Sequence, residues 1–168
     1  IINGLTSKSH PCQVIADVMT FEEVKGPIKN KKIAWLGDGN NVVYSLIEAA
    51  VLFDFELRIA SPKNYEPNKN ILQWAKRNNG NIFLTKDPIK AASSADCIMT
   101  DKWVSMGDLV NKKNGSHFNE KLIVTRILQD KVKNGSEIVD LGCGFGEFAF
   151  LLNNTNPSWF LKSFDFNL

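Results

Sequence analysis

Three clusters of residues have types and spacing suited to chemistry. In Ser9-His10-Pro11-Cys12-Gln13, Pro11 occupies the first turn of a helix, where its fixed φ is already suitable. His10 and Gln13 then stand three residues apart on one face, near the positive end of that helix. Such a pair can grip a carbonyl oxygen and an amide. The second cluster, Gly37-Asp38-Gly39-Asn40-Asn41, is a tight turn leading into another helix. A dinucleotide fingerprint would need a glycine where Val42 stands and an acid where the next strand closes on Ala60-Ser61, so a nicotinamide cofactor is excluded twice. What remains are Asn amides at a helix N-terminus, suited to a carboxylate or zwitterion; a plain helix cap is the equal alternative. The third cluster, Asp101-Lys102-Trp103-Val104-Ser105-Met106-Gly107, follows an apolar strand. An acid there can hold an ammonium group, with Ser105 and the backbone around Met106 bonding a small polar ligand. Taken alone, it reads more simply as a cap at Asp101 with Trp103 and Met106 packing.

The elements that must position these clusters alternate. Val14, Ile15, Val18 and Met19 supply an apolar helix face that ends near Gly26-Pro27. Short apolar strands are expected at 32–36, 56–60, 81–85 and 96–100, with helices at 42–53, 70–79 and 88–95 between them. A polar stretch follows from 101 to 116, then a helix around Leu122 to Val132. A strand at 137–141, a glycine turn, a helix through Leu152 and a strand at 159–166 complete the chain. This order predicts an α/β fold: an open, doubly wound, Rossmann-like parallel sheet of about four strands, plus an extra C-terminal βαβ unit. The three clusters fall at strand ends or a helix start, where such sheets bind ligands.

Composition narrows the function classes. The 168 residues are 43% hydrophobic and 23% charged, as in a folded domain, and the net charge of +2 gives no case for nucleic acid or a membrane surface as partner. No apolar run approaches the roughly 20 residues of a membrane span. Three widely spaced cysteines (Cys12, Cys97, Cys143) form neither a disulfide framework nor a metal site, and a reduced, cytoplasmic setting is expected. Cys97, in an apolar run, reads as a core filler. Only three arginines are present (Arg58, Arg77, Arg126), so the chain has few means of clamping a phosphate bidentately.

Together the clusters resemble the ornithine carbamoyltransferase family over positions 1 to about 108. Asn3-Gly4-Leu5-Thr6 leading to His10-Pro11-Cys12-Gln13 looks like its carbamoyl-phosphate motif. Gly37 to Asn41 and Asp101-x-Trp103-x-Ser105-Met106-Gly107 look like its ornithine-binding elements, and Ser-Met-Gly separates these from the aspartate-using relatives. The resemblance implies that His10 and Gln13 contact the carbamoyl group, with His10 as the catalytic donor to the developing oxyanion. It implies that Asn41, Asp101, Ser105 and Met106 hold the amino-acid head of ornithine, and that carbamoyl phosphate and ornithine give citrulline and phosphate, a step of arginine biosynthesis. It implies no metal or organic cofactor, and an assembly that is typically homotrimeric. The family's phosphate-gripping Ser/Thr/Arg loop and its later His-Cys-Leu-Pro loop have no counterpart in this sequence. The chain is therefore expected to be a fragment, cut at both ends and inactive alone.

Beyond about 110 a different resemblance begins. Ile138-Val139-Asp140-Leu141-Gly142-Cys143-Gly144-Phe145-Gly146 looks like the first motif of class I S-adenosylmethionine-dependent methyltransferases. That implies Asp140, Gly142, Gly144 and Gly146 near the cofactor, with Asp165 at the ribose hydroxyls. A glycine turn in an unrelated βαβ is the alternative. The expected organisation is an ornithine-binding segment at 1–110, a polar junction at 111–116 and a truncated methyltransferase-like segment at 117–168. The alternative functions are a methyltransferase fusion and a non-catalytic amino-acid-binding module.

Overall fold

In a computed structural model the chain divides into two units, Ile1–Trp103 and Val104–Leu168. Residues 2–100, 129, 133–134, 137–141, 156–158 and 160–164 are described. In the first unit the elements run α1 (Pro11–Lys25), β1 (Lys32–Leu36), α2 (Asn41–Phe53), β2 (Glu56–Ala60), α3 (Lys69–Arg77), β3 (Ile82–Thr85), α4 (Pro88–Ala92) and β4 (Cys97–Met99).

The four strands form one parallel sheet in the order β3-β2-β1-β4. Lys32 to Leu36 pair with Glu56 to Ala60, and Ile33 to Trp35 pair with Cys97 to Met99. The chain moves outward from β1 through β2 to β3, then returns across the sheet to β4. Right-handed crossovers require the returning helix to lie on the opposite face from the others. Accordingly α4 packs on β1, β2 and β3, whereas α1 packs on α2. The sheet is thus covered on both faces, and its strands read as apolar runs rather than alternating ones. Trp35, Phe55, Ile33, Leu46, Ile47, Leu57 and Ile59 are its fully buried large side chains, each worth about 1.5–3 kcal/mol of burial.

Asn68 and Asp87 cap α3 and α4 with side-chain oxygens on the first-turn amides. Helix α4 is shorter than its sequence suggests, giving way at Ser93 to extended backbone and at Ser94 to a left-handed turn. Helix α1 also differs from its apolar spacing. Val14, Val18 and Phe21 are buried, joined by Asp17, but Ile15 is 46% and Met19 57% exposed. The buried stripe is rotated toward Asp17, whose charge lies near Cys97 of β4.

In the second unit β5 (Glu137–Leu141) pairs in parallel with β6 (Phe160–Phe164), Asp140 opposite Ser163 and Leu141 opposite Phe164. These two strands form a sheet of their own. Parallel neighbours need a long crossover, and residues 142–159 supply the length. The helices expected around Leu122 to Val132 and before Leu152, and the polar stretch 101–116, lie outside the described residues, apart from a helical Gln129.

Candidate functional site

The winding of the sheet reverses between β1 and β4, which pair directly (Trp35 with Met99). Ligands of open α/β sheets bind beyond the carboxyl ends of strands at such a reversal. The turn Gly37 to Asn41 leaves one of those ends, and the segment starting at Thr100 leaves the other.

The first turn is built by a dense set of hydrogen bonds. Gly37 N–H continues the sheet ladder to Ala60 O at 3.0 Å, and the buried Ser61 Oγ donates to Gly37 O at 2.6 Å. Trp35 Nε1 donates to Asp38 O at 3.1 Å. Asn40 caps α2, its Oδ1 accepting from Val42 N (3.0 Å) and Val43 N (3.1 Å). Gly39 N–H donates to Tyr65 O at 2.7 Å, and a Cβ at Gly39 would meet Pro67 N, with Glu66 C and Pro67 Cα at 2.6 Å. Only a glycine lets the loop after β2 close this tightly over the loop after β1. The Ala60-Ser61 position that lacks a ribose-binding acid instead holds an internal tie.

Asn41, expected from the sequence to present its amide to a ligand, is tied in this structure to the segment before α1. Asn41 Nδ2 donates to Thr6 O at 2.8 Å. One turn further along α2, the buried Ser45 Oγ accepts the His10 backbone N–H at 2.9 Å. The segment before α1 is also folded on itself: Asn3 Nδ2 donates to Ser9 Oγ (2.8 Å), and Thr6 Oγ1 accepts from Ser9 N (3.1 Å). Thus α2 carries both the turn at the strand end and the His10 segment. Ser45 had no signal in the sequence beyond being a polar residue on the apolar face of a helix.

His10 occupies the N-cap position of α1 without a side-chain cap bond, and its Nδ1 is buried with no hydrogen-bond partner. Gln13 is engaged with Asp17, Nε2 to Oδ1 at 2.8 Å. Arg58 is held by the Glu56 carboxylate at 2.5 Å and by Ser93 O at 2.7 Å, a structural use rather than a phosphate clamp. Cys97 packs against the core, as its apolar neighbours suggested, and its thiol is pushed up to about 12. Loss of water is the main cause, followed by the Asp17 and Asp96 charges, with Lys25 opposing. Among the described residues no group of three His, Cys, Asp or Glu could hold a metal ion, and no helix is long and apolar enough to cross a membrane.

Asp101, Ser105, Met106, Gly142, Gly144, Gly146 and Asp165 lie outside the described residues; of the C-terminal candidates, only the backbone register of Asp140 is given.

Comparison with known proteins gives a consistent result. Residues 29–139 match the family described as "Aspartate/ornithine carbamoyltransferase, Asp/Orn binding domain", a span that begins after the Asn3 to Gln13 motif and reaches into β5. Ornithine carbamoyltransferase of Brucella ovis is 59% identical over 107 residues, which are 64% of this chain and 34% of that protein. The Agrobacterium fabrum enzyme of the same name is 44% identical over 133 residues, 79% of this chain and 43% of that one. Among solved structures, anabolic ornithine carbamoyltransferase from Campylobacter jejuni gives a TM-score of 0.61 at 36% identity, covering 67% of this chain and 39% of that one. The Thermus thermophilus ornithine carbamoyltransferase gives 0.55 at 43% identity, covering 61% and 34%. The chain therefore spans between a third and a half of the length of these relatives. With the parallel β3-β2-β1-β4 sheet in place and the family match extending over most of its length, this chain belongs to the aspartate/ornithine carbamoyltransferase family through its Asp/Orn-binding domain.

Proposed function

We propose that this chain is the ornithine-binding part of an ornithine carbamoyltransferase. Ornithine's amino-acid head would sit at the strand ends of β1 and β4, with Asn41, Asp101, Ser105 and Met106 around it. His10 and Gln13 would contact the carbamoyl group of carbamoyl phosphate. The δ-amine of ornithine attacks the carbamoyl carbon, the new C–N bond forms, the C–O bond to phosphate breaks, and the amine gives up a proton. Citrulline and phosphate result. The demands are an oriented neutral amine and donors aimed at the developing oxyanion, with no cofactor.

The observation that carries this reading is the double tie of α2, Asn41 to Thr6 and Ser45 to His10. It holds the carbamoyl-type and amino-acid-type motifs against one rigid helix, as a reaction between two bound substrates requires. The buried Nδ1 of His10 adds to it. Neither a backbone nor a side-chain group of the described residues occupies that ring nitrogen, so the imidazole is not committed to an internal bond there. Catalysis also needs a phosphate-binding part that neither Arg58 nor any matched motif supplies, so the chain alone is expected to form no citrulline.

Calorimetry of the chain with ornithine tests the reading. Ornithine binding that Asp101→Ala removes is expected; unchanged affinity in that variant sinks the assignment. A homotrimer and a cytoplasmic setting belong to the same reading, and equilibrium sedimentation checks the first.

A second reading concerns the C-terminal unit. The parallel β5–β6 pair, followed after β5 by Gly142, Gly144 and Gly146 in sequence, supports the start of an S-adenosylmethionine-binding βαβ. The family match running through residue 139 weighs against it. Calorimetry with S-adenosylmethionine separates the two, since binding is expected only for the second.

A further inference from the structure

The Gln13 side chain has a partner that decides which end of its amide can meet a ligand. Gln13 Nε2 donates to Asp17 Oδ1 at 2.8 Å. The two residues are one turn apart on α1, and Asp17 is only 7% exposed. The Asp17 oxygen accepts this bond, so the amide end facing it is the nitrogen. A glutamine without such a partner turns about its last, soft torsion and offers oxygen or nitrogen with little preference. Reversal here would set Oε1 against a carboxylate oxygen, two acceptors together in a partly buried place. The tie therefore holds Nε2 at Asp17 and leaves Oε1 on the other side of the trigonal amide carbon.

We propose that Asp17 is a positioning residue: it fixes Gln13 with Oε1 as the end offered to the ligand, so that the His10–Gln13 face selects a group carrying N–H beside its carbonyl. This rests on the carbamoyl reading given above. The carbonyl oxygen of such a group suits the histidine N–H and the positive end of α1, while its amide N–H donates to Oε1. Replacing that NH₂ by a methyl group leaves Oε1 facing carbon with its bond to water already lost. Sites built to hydrogen-bond a polar group reject the analogue that lacks it far more strongly than apolar pockets reject a wrong size. Discrimination between carbamoyl and acetyl phosphate then originates in a residue that touches neither.

Two measurements on the chain decide this. The first uses no ligand. A glutamate in the first turn of a helix is ordinarily favourable, so Gln13→Glu harms the fold only if that side chain faces the Asp17 charge. The Gln13→Glu variant is expected to lower the urea midpoint, and adding Asp17→Asn is expected to restore it, because an amide at 17 can donate to the new carboxylate. No loss in the single variant, or no recovery in the double, overturns the tie whatever the ligand does.

The second is a titration followed by NMR with carbamoyl phosphate and with acetyl phosphate. The wild-type chain is expected to bind acetyl phosphate at least about tenfold more weakly. Asp17→Asn is expected to bring the ratio toward one while carbamoyl phosphate still shifts the His10 ring signals. A merely structural role for Asp17 would weaken both ligands alike, so a ratio unchanged in the variant, or already near one in the wild type, overturns the proposal. Failure of the wild type to bind either phosphate overturns the proposal even where the double variant recovers in urea, and the separate ornithine titration then decides the carbamoyltransferase reading.

Discussion

Ser45 Oγ accepts the backbone N–H of His10 at 2.9 Å, joining two residues 35 positions apart in the chain. Ser45 is buried at 3% exposure and belongs to the second turn of α2. His10 is the residue from which α1 departs. The bond therefore sets where one helix begins by reference to the flank of another, and with it the position of the imidazole.

Ser45→Ala removes that acceptor and leaves a partly buried N–H without a partner. We expect a loss of about 1–3 kcal/mol in unfolding free energy, read from urea denaturation. Ser45→Thr keeps the oxygen and is expected to recover part of it. Equal stability of Ser45→Ala and wild type would show that the bond adds nothing.

Gly39→Ala meets the Glu66–Pro67 backbone, which cannot swing aside as a flexible side chain could. We expect a cost of about 1–3 kcal/mol and a displaced 61–67 loop. Trypsin should then cut after the exposed Lys63 faster than in the wild-type chain. An unaltered rate of cleavage would mean that the loop does not rest on Gly39.

Asn40→Ala deprives Val42 and Val43 of their cap acceptor and should cost about 1 kcal/mol. Asn40→Asp retains the acceptor and adds a charge suited to the helix start, so it is expected to be tolerated. Circular dichroism during urea unfolding distinguishes the two variants.

Cys97 and Cys12 should differ in reactivity. Cys12 is exposed, whereas the Cys97 thiol is raised from 9.0 to about 12 by burial and by the nearby Asp17 and Asp96 charges. At pH 8 a thiol-alkylating reagent is expected to modify Cys12 in the folded chain and Cys97 only after unfolding, as read by peptide mass spectrometry. The sign of the pH effect follows. The folded state holds this proton more tightly than the unfolded state, so the associated stability is complete below pH 9.0 and is lost as pH rises toward about 12. Stability that increases over this range on account of Cys97 would contradict the assignment.

Much of the local structure was legible in the amino-acid order. The strands at 32–36 and 56–60 appear where apolar runs predict them, and Pro11 and Asp87-Pro88 begin helices because a cap and a preset φ act within a few residues. The turn at Gly37 to Asn41 was likewise legible, since Asn40 stands where a cap for the next helix is expected. Periodicity was less informative for α1. It marked Ile15 and Met19 as apolar but not which flank the fold would cover, and the covered flank carries Asp17 beside Val14 and Val18.

Only the tertiary structure decided what the candidate residues touch. Spacing placed Asn41 at a helix start, but its bond to Thr6 spans 35 positions, as does that of Ser45 to His10. No local pattern encodes such contacts, because they exist only once the sheet order β3-β2-β1-β4 has fixed where α1 and α2 lie. The same holds for Arg58, whose partner Ser93 lies 35 positions away and is reached only from its place in the sheet. The chain order carries the chemistry of each cluster. Long-range packing decides which clusters meet, since the free energy of those contacts belongs to pairs of residues that the sequence leaves far apart.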